Sequence, residues 1–157
     1  MPTNTTFSLQ HALPNQLEIA YESLADLKKF GEIHPYIIEV NIIKNNLPEY
    51  LEYVIVEEVH LFGFIKNHPI YETKVFEIEE YKHIRYTSRV KKNIFLTIDI
   101  TFSKNKSGNL IVTETFDIRS PKLMGMVFSG ILKKAHFKFF ENLKKILHNS
   151  IEELHTH

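Results

Sequence analysis

The residues most able to do chemistry in this chain are two glutamates and a histidine set among apolar neighbours. Glu114 stands on the face of an alternating segment whose other members are Val112, Phe116 and Ile118. A carboxylate there must be hydrogen-bonded, shifted in pKa, or in contact with water. An enclosed cavity would supply the water, and a solvated sheet end or a lysine partner would serve as well. Glu57 shares the face of Tyr53 and Ile55, so it enters the interior only if that face points inward. His136 falls beside Leu132, Phe139 and Phe140 on a helical pattern, where it is either a hydrogen-bonded core group or an acid–base group. Glu114, Glu57 and His136 are therefore the candidate catalytic residues, any of them a possible general base. Glu57, Glu114 and Tyr86 could form the polar end of a binding site.

Other chemistries lack support. The chain has no cysteine, which removes disulfides, thiolate nucleophiles and thiolate metal sites. Its nine histidines include no pair with the spacing of a zinc motif such as HExxH, so neither a metal nor another cofactor is expected. His34, before Pro35, is explained by turn chemistry, and His148, His155 and His157 fall in the expected frayed tail that includes 149–157. Lysine plus arginine equals aspartate plus glutamate at 19 each, leaving no basic field for nucleic acid. No apolar run is long enough to span a bilayer, and MPTNTTFSLQ lacks the basic start and apolar block of a signal peptide. A soluble, cytoplasmic protein is expected, with no membrane insertion.

The elements that must position these groups follow from periodicity. Thr5 to Ala12 alternates, placing Phe7, Leu9 and His11 together, and predicts a first strand. Pro14 is suited to open a helix carrying Leu17, Ala20, Tyr21 and Leu24, and a second short helix from Ala25 to Phe30 stops at Gly31. A second strand sets Ile38, Val40 and Ile42 on one face. The third, Leu51 to Phe62, is apolar on both faces, since Val54, Val56 and Phe62 oppose Tyr53 and Ile55, which leaves its inward face open. The fourth changes phase after Tyr71, Thr73 and Val75, which predicts a bulge near Val75-Phe76. The fifth puts Ile84, Tyr86, Ser88 and Val90 on one face, the sixth Leu96, Ile98, Ile100 and Phe102. Asn105-Lys106-Ser107-Gly108 is a hairpin loop before the seventh strand.

The last element is a long helical pattern from Pro121 to His148. Phe128, Ile131, Leu132, Ala135, Phe139, Leu143 and Ile146 form its apolar stripe. Short connections between strands predict an antiparallel meander, so the expected fold is α+β: a seven-stranded curved antiparallel sheet in the order β-α-α-β6-α, wrapped around the long helix. Residues 1–157 are expected to make one domain.

That order resembles the START-like or SRPBCC superfamily, the helix-grip fold of polyketide cyclase/dehydrase-type proteins, Bet v 1 relatives and lipid-transfer domains. Three local patterns carry the resemblance: His34-Pro35 with Ile38-Glu39-Val40, Val112-Thr113-Glu114-Thr115 with Phe116, and Ala135-His136 leading to Phe140-Glu141-Asn142-Leu143. The resemblance implies a cavity between sheet and helix for a small hydrophobic ligand. Its expected lining is Tyr53, Glu57, Tyr86, Leu96, Ile98, Glu114, Met124, Phe128 and Leu132. The glycines and methionines of the helix start, Met124, Gly125, Met126 and Gly130, place the mouth near residues 123 to 132. Three functions fit: binding or transport of a lipid, polyketide-like or aromatic molecule; cyclisation or dehydration using a cavity base; or a regulatory protein whose cavity is filled by side chains. Either a monomer or a homodimer is consistent, with Met126 and Phe137 as a possible contact.

Overall fold

The computed structural model describes residues 2–61 and 64–156. Seven antiparallel strands form the main sheet, in the spatial order β1 (Pro2–Leu13), β9 (Leu110–Pro121), β8 (Ile94–Lys104), β7 (His83–Lys91), β6 (Ile70–Glu79), β3 (Tyr50–Glu57) and β2 (Ile37–Asn46). Two short helices, α1 (Leu17–Ala25) and α2 (Leu27–Ile33), connect β1 to β2. A ribbon of β4 (Val59–Leu61) and β5 (Ile65–Asn67) stands apart from the sheet, and α3 (Lys122–Thr156) closes the chain. The seven-stranded sheet with its long helix is the α+β arrangement expected.

The face of each strand follows its alternation. On β8, Leu96, Ile98 and Ile100 are buried, and on β9 Val112, Glu114, Phe116 and Ile118 all point inward. The ambiguity of the third strand is settled by Tyr53 and Ile55, both buried, which turns Glu57 toward the interior as well. That strand is shorter than expected: pairing in the sheet ends at Glu57, and Val59 begins the separate ribbon. Phe62 lies outside the described residues. On the edge strand β2 the expected face fails, because Ile38 and Ile42 are exposed while Ile37 and Val40 pack on the core. Register shifts after Ile37 and after Ile42 change which residues turn inward. The irregularity expected near Val75-Phe76 falls between Glu77 and Glu79 instead.

Turns obey local chemistry. Gly108 adopts a φ of 82°, and the Asn105 side chain accepts the Asn109 N–H at 2.9 Å to brace the β8–β9 hairpin. Pro14 precedes the first helix rather than opening it, since α1 starts at Leu17. Gly31 does not stop α2, which runs to Ile33. Its role is steric: a Cβ there would lie 2.8 Å from Val40 Cγ2. Asp26 caps α2 by accepting the Lys28 N–H at 2.9 Å.

The last helix is longer than its apolar pattern. It begins at Lys122, one residue after Pro121, and continues to Thr156 with no end at His148, so the expected tail is helical through that residue. Ala135, His136, Phe139, Phe140, Leu143 and Leu147 are buried, but Ile146 is 41% exposed. The buried stripe therefore turns toward Leu147. The helix rests chiefly on β1 and β9 and touches α1 and α2, and Asn142 ties it to α2 by donating to the Ile33 carbonyl at 3.0 Å. Leaning on one end of the sheet, α3 leaves a gap above the central strands β3, β6, β7 and β8.

Candidate functional site

That gap holds a cavity of about 60 Å³. Strands β3 to β8 contribute Ile55, Glu57, Tyr71, Thr73, Tyr86, Ser88, Val90, Leu96 and Ile98 to its wall, and α3 roofs it with Phe128, Ile131, Leu132, Ala135 and His136. A space of this size holds a few water molecules, at roughly 10–15 Å³ for each. Next to it lies a groove of about 370 Å³ between the start of α3 and the β4–β5 ribbon, bordered by Val59, Pro69, Ile94, Leu123, Met124 and Val127. Glu57, Val90, Phe128 and Ile131 line both spaces.

The polar end of the cavity is built from β3, β6 and the residues after α2. Burial raises the pKa of the Glu57 carboxyl, while a hydrogen bond from Tyr71 and the nearby His136 ring pull it partly back. Tyr71 is held protonated by its own burial and by Glu57. His34 is buried, and desolvation with the neighbouring His136 lowers its pKa to about 3, so it is neutral at neutral pH. Its Nδ1 accepts the Tyr36 N–H at 3.1 Å, which places the ring proton on Nε2, 4.0 Å from Glu57 Oε1.

Behind this end sits Glu114, with a relative exposure of 0%. Its Oε2 accepts from His136 Nδ1 at 2.6 Å and its Oε1 from His11 Nε2 at 3.0 Å. Burial pushes the carboxyl up, but the His136 charge and the two histidine hydrogen bonds outweigh it, and the net pKa lies below the usual carboxylate value. An ionised Glu114 requires a proton on each facing nitrogen. The His11 ring stacks on Phe140 with centroids 3.7 Å apart, while Phe116 packs edge-on against His136 at 5.0 Å.

The candidate residues thus separate into three groups. Glu57, Tyr86, Leu96, Ile98, Phe128, Leu132 and His136 border the cavity; Met124 borders only the outer groove; Tyr53 and Glu114 border neither. Glu114 meets two histidines rather than a lysine. Tyr86 reaches the cavity with its ring, but its hydroxyl donates to the Leu24 carbonyl and is not a free polar end. His34, Tyr71 and His11 were not among the candidates. Tyr71 was legible as an inward residue of its strand, and His11 as a partner of Phe7 and Leu9, yet nothing local in the sequence reveals their carboxylate partners.

Among the described residues no group of three or more His, Asp or Glu side chains is arranged to hold a metal ion. His11 and His136 point at opposite oxygens of Glu114 and do not converge on a common point. No helix among the described residues is long and apolar enough to cross a membrane.

No family model matches the chain, and no curated protein sequence is similar to it. Solved structures are. The di-domain ARO/CYC protein StfQ of the steffimycin biosynthetic pathway superposes with a TM-score of 0.78 at 10% identity, over 95% of this chain and 52% of StfQ. The chain has the helix-grip fold. It spans about half of that di-domain protein. The aromatase/cyclase ZhuI from Streptomyces sp. R1128 gives a TM-score of 0.69 at 11% identity, over 96% of each chain. Ara h 8.0201, a Bet v 1-like helix-grip protein, gives 0.69 at 12% identity, over 94% of this chain and 99% of its own. At these identities the likeness establishes the fold and no more, and the helix-grip site must be read from its own residues.

Proposed function

We propose that this helix-grip chain, with residues 1–157 acting as one domain in the cytoplasm, binds and carries a small hydrophobic molecule. One observation carries the reading. An apolar groove of about 370 Å³ adjoins a largely apolar cavity of about 60 Å³ that has Glu57, His34 and His136 at one end, and the two spaces share Glu57, Val90, Phe128 and Ile131 as lining. A lipid, polyketide-like or aromatic ligand would lay its apolar body against Leu123, Met124 and Val127. The inner cavity is small, so only a small polar head of a few heavy atoms would enter it, to meet Glu57, His34 or His136. Apolar burial supplies affinity, and those few polar groups supply orientation.

The test is titration with anilinonaphthalene sulfonate, read by fluorescence, together with native mass spectrometry of the purified protein. Saturable one-to-one binding is expected, and Ile131→Trp, which adds bulk to the wall shared by groove and cavity, should weaken it about tenfold, or 1.4 kcal/mol. Ile146→Trp, roughly 22 Å further along α3 and outside both spaces, should leave it unchanged. Unsaturable binding, or equal affinity in both variants, rejects the reading and favours a domain filled by its own side chains.

A second reading is favoured by the Glu114–His136 contact. A histidine whose Nδ1–H is held by a buried carboxylate presents Nε2 as a base, and a carboxylate behind it stabilises the imidazolium that forms. On a bound substrate with an acidic C–H or O–H, His136 would take that proton in a cyclisation or dehydration. His136→Gln should then abolish turnover of a polyketone substrate without loss of binding; undiminished turnover removes His136 as the base.

A further inference from the structure

Among the described residues β2 is one free edge of the main sheet, since β3 pairs with it on one side and no strand pairs with it on the other. The edge is long, ten residues, and carries exposed apolar side chains at Ile38 (58%), Ile42 (47%) and Ile43 (47%). An edge of this kind is a template for another strand. Which strand fits it is decided by the register of β2 on β3. Glu39 lies opposite Val56, Asn41 opposite Val54, and Lys44 opposite Glu52. Because Val56, Val54 and Glu52 are alternate residues of β3, the side chains of Glu39, Asn41 and Lys44 share one face. Without the shift between Ile42 and Lys44, a lysine at 44 would point to the other side.

This spacing is self-complementary. Pair β2 with a second β2, antiparallel, about a twofold axis perpendicular to the sheet at Asn41. Glu39 of each copy then falls directly opposite Lys44 of the other, two pair positions from the axis on either side. On the opposite face Val40 meets Ile42, twice. An isolated edge lysine ordinarily repels incoming strands, but here each lysine meets a glutamate. In the single chain Glu39 accepts from Asn41 Nδ2 at 2.8 Å, so the carboxylate already lies along the edge.

We propose that two copies of this chain associate through β2, joining their sheets into one continuous antiparallel sheet with Asn41 at the twofold axis and two Glu39–Lys44 pairs flanking it. The α2 helix packs on Ile37 and Val40 through Gly31, while Glu39 and 41–45 remain exposed. The interface lies at the end of the sheet away from the α3 contacts with β1 and β9, so it does not depend on the ligand reading. It also differs from a contact through Met126 and Phe137 on α3.

The absence of cysteine makes a direct test possible. Directly opposed residues on antiparallel strands have Cα atoms about 4.5–5.5 Å apart, within the range a disulfide spans. Asn41→Cys should therefore oxidise to a covalent dimer, whereas Phe137→Cys, equally accessible on α3, should not. Sedimentation of the unmodified protein should show a concentration-dependent dimer. Glu39→Lys and Lys44→Glu should each weaken it by roughly tenfold, since like charges placed directly opposite are unfavourable at two symmetric positions. An equimolar mixture of the two variants should associate again, because every opposed pair is then attractive. That recovery separates the proposal from simple misfolding. A monomer at all concentrations, cross-linking from Phe137→Cys alone, or no recovery in the mixture would overturn it.

Discussion

His136 Nδ1 lies 2.6 Å from Glu114 Oε2, with both side chains buried, although 22 positions separate them in the chain. With His11 on the other oxygen, the carboxylate is held between two imidazoles from β1 and α3. Removing the carboxylate alone leaves two buried imidazoles facing a void, and breaking such a buried pair costs about 3–5 kcal/mol. Glu114→Ala should therefore lower the unfolding free energy by about that amount in urea denaturation. Replacing all three together, by His11→Phe, Glu114→Leu and His136→Phe, should recover most of the loss, because apolar isosteres carry no desolvation cost. A triple variant no more stable than Glu114→Ala would show that the cluster contributes net stability through its charges.

Stability should depend on pH through His34. Its folded pKa of about 3 lies below the ordinary 6.5. As pH falls below 6.5 the unfolded chain takes up a proton that the folded chain refuses, so stability declines with falling pH until about pH 3. The slope for one proton is about 1.4 kcal/mol per pH unit. Glu114 adds to the decline at lower pH: its depressed pKa contributes stability above the ordinary carboxylate range, lost as the group protonates in the fold. Glu57, with a raised pKa, works in the opposite direction over the carboxylate range. Between pH 6.5 and 5, His34→Asn should flatten the profile by about one proton, as read from denaturation midpoints across that range. An unchanged slope would mean that His34 titrates freely in the fold.

Two glycines of α3 should respond oppositely to alanine. A Cβ on Gly125 would lie 2.7 Å from Ser120 Oγ and 3.0 Å from Thr5 Oγ1, where α3 meets β9 and β1, whereas a Cβ on Gly130 meets nothing within 4 Å. Gly125→Ala should cost about 1–3 kcal/mol by overpacking. Gly130→Ala should stabilise by up to ~1 kcal/mol, through helix propensity. Adding Ser120→Ala to Gly125→Ala should recover part of the loss. Thermal melts of the four proteins check all of this.

Tyr86 and Glu57 border the same cavity yet should differ in what their variants change. The Tyr86 hydroxyl is committed to the Leu24 carbonyl, so Tyr86→Phe should cost about 1–2 kcal/mol of stability for the orphaned carbonyl. Fluorophore affinity should stay within twofold. Glu57→Leu removes a carboxyl whose pKa is raised mainly by burial but also orphans the buried Tyr71 hydroxyl, so it should cost about 1–3 kcal/mol, largely recovered by adding Tyr71→Phe, and tighten the binding of a wholly apolar probe. Isothermal titration of both variants separates the two roles.

Much of the architecture is legible in the sequence because its elements are local. Period-two alternation placed Leu96, Ile98, Val112 and Phe116 on the buried face, and Gly108 marked its hairpin. The misreadings arise where tertiary contact outweighs the local signal. Ile38 and Ile42 alternate properly, yet β2 is an edge strand with two register shifts. Gly31 resembles a helix stop, but it is the close approach of Val40 that requires it. Ile146 fits the apolar stripe of α3 until the lean of the helix on β1 and β9 turns Leu147 inward in its place.

By itself the sequence determined that a carboxylate at 114 would stand on an apolar face and that a long amphipathic helix would cover a meander of strands. Both are consequences of side-chain period, which is local. Only the tertiary structure decided what Glu114 would meet. The antiparallel pairing of β1 with β9 sets Leu9 directly opposite Glu114 and leaves His11 close enough to donate from a position 103 residues away, and the descent of α3 delivers His136 to the other oxygen. The same descent, tilted toward one end of the sheet, leaves the gap above β3, β6, β7 and β8. Contacts at such separation depend on packing of the whole chain, which no window of neighbouring residues encodes.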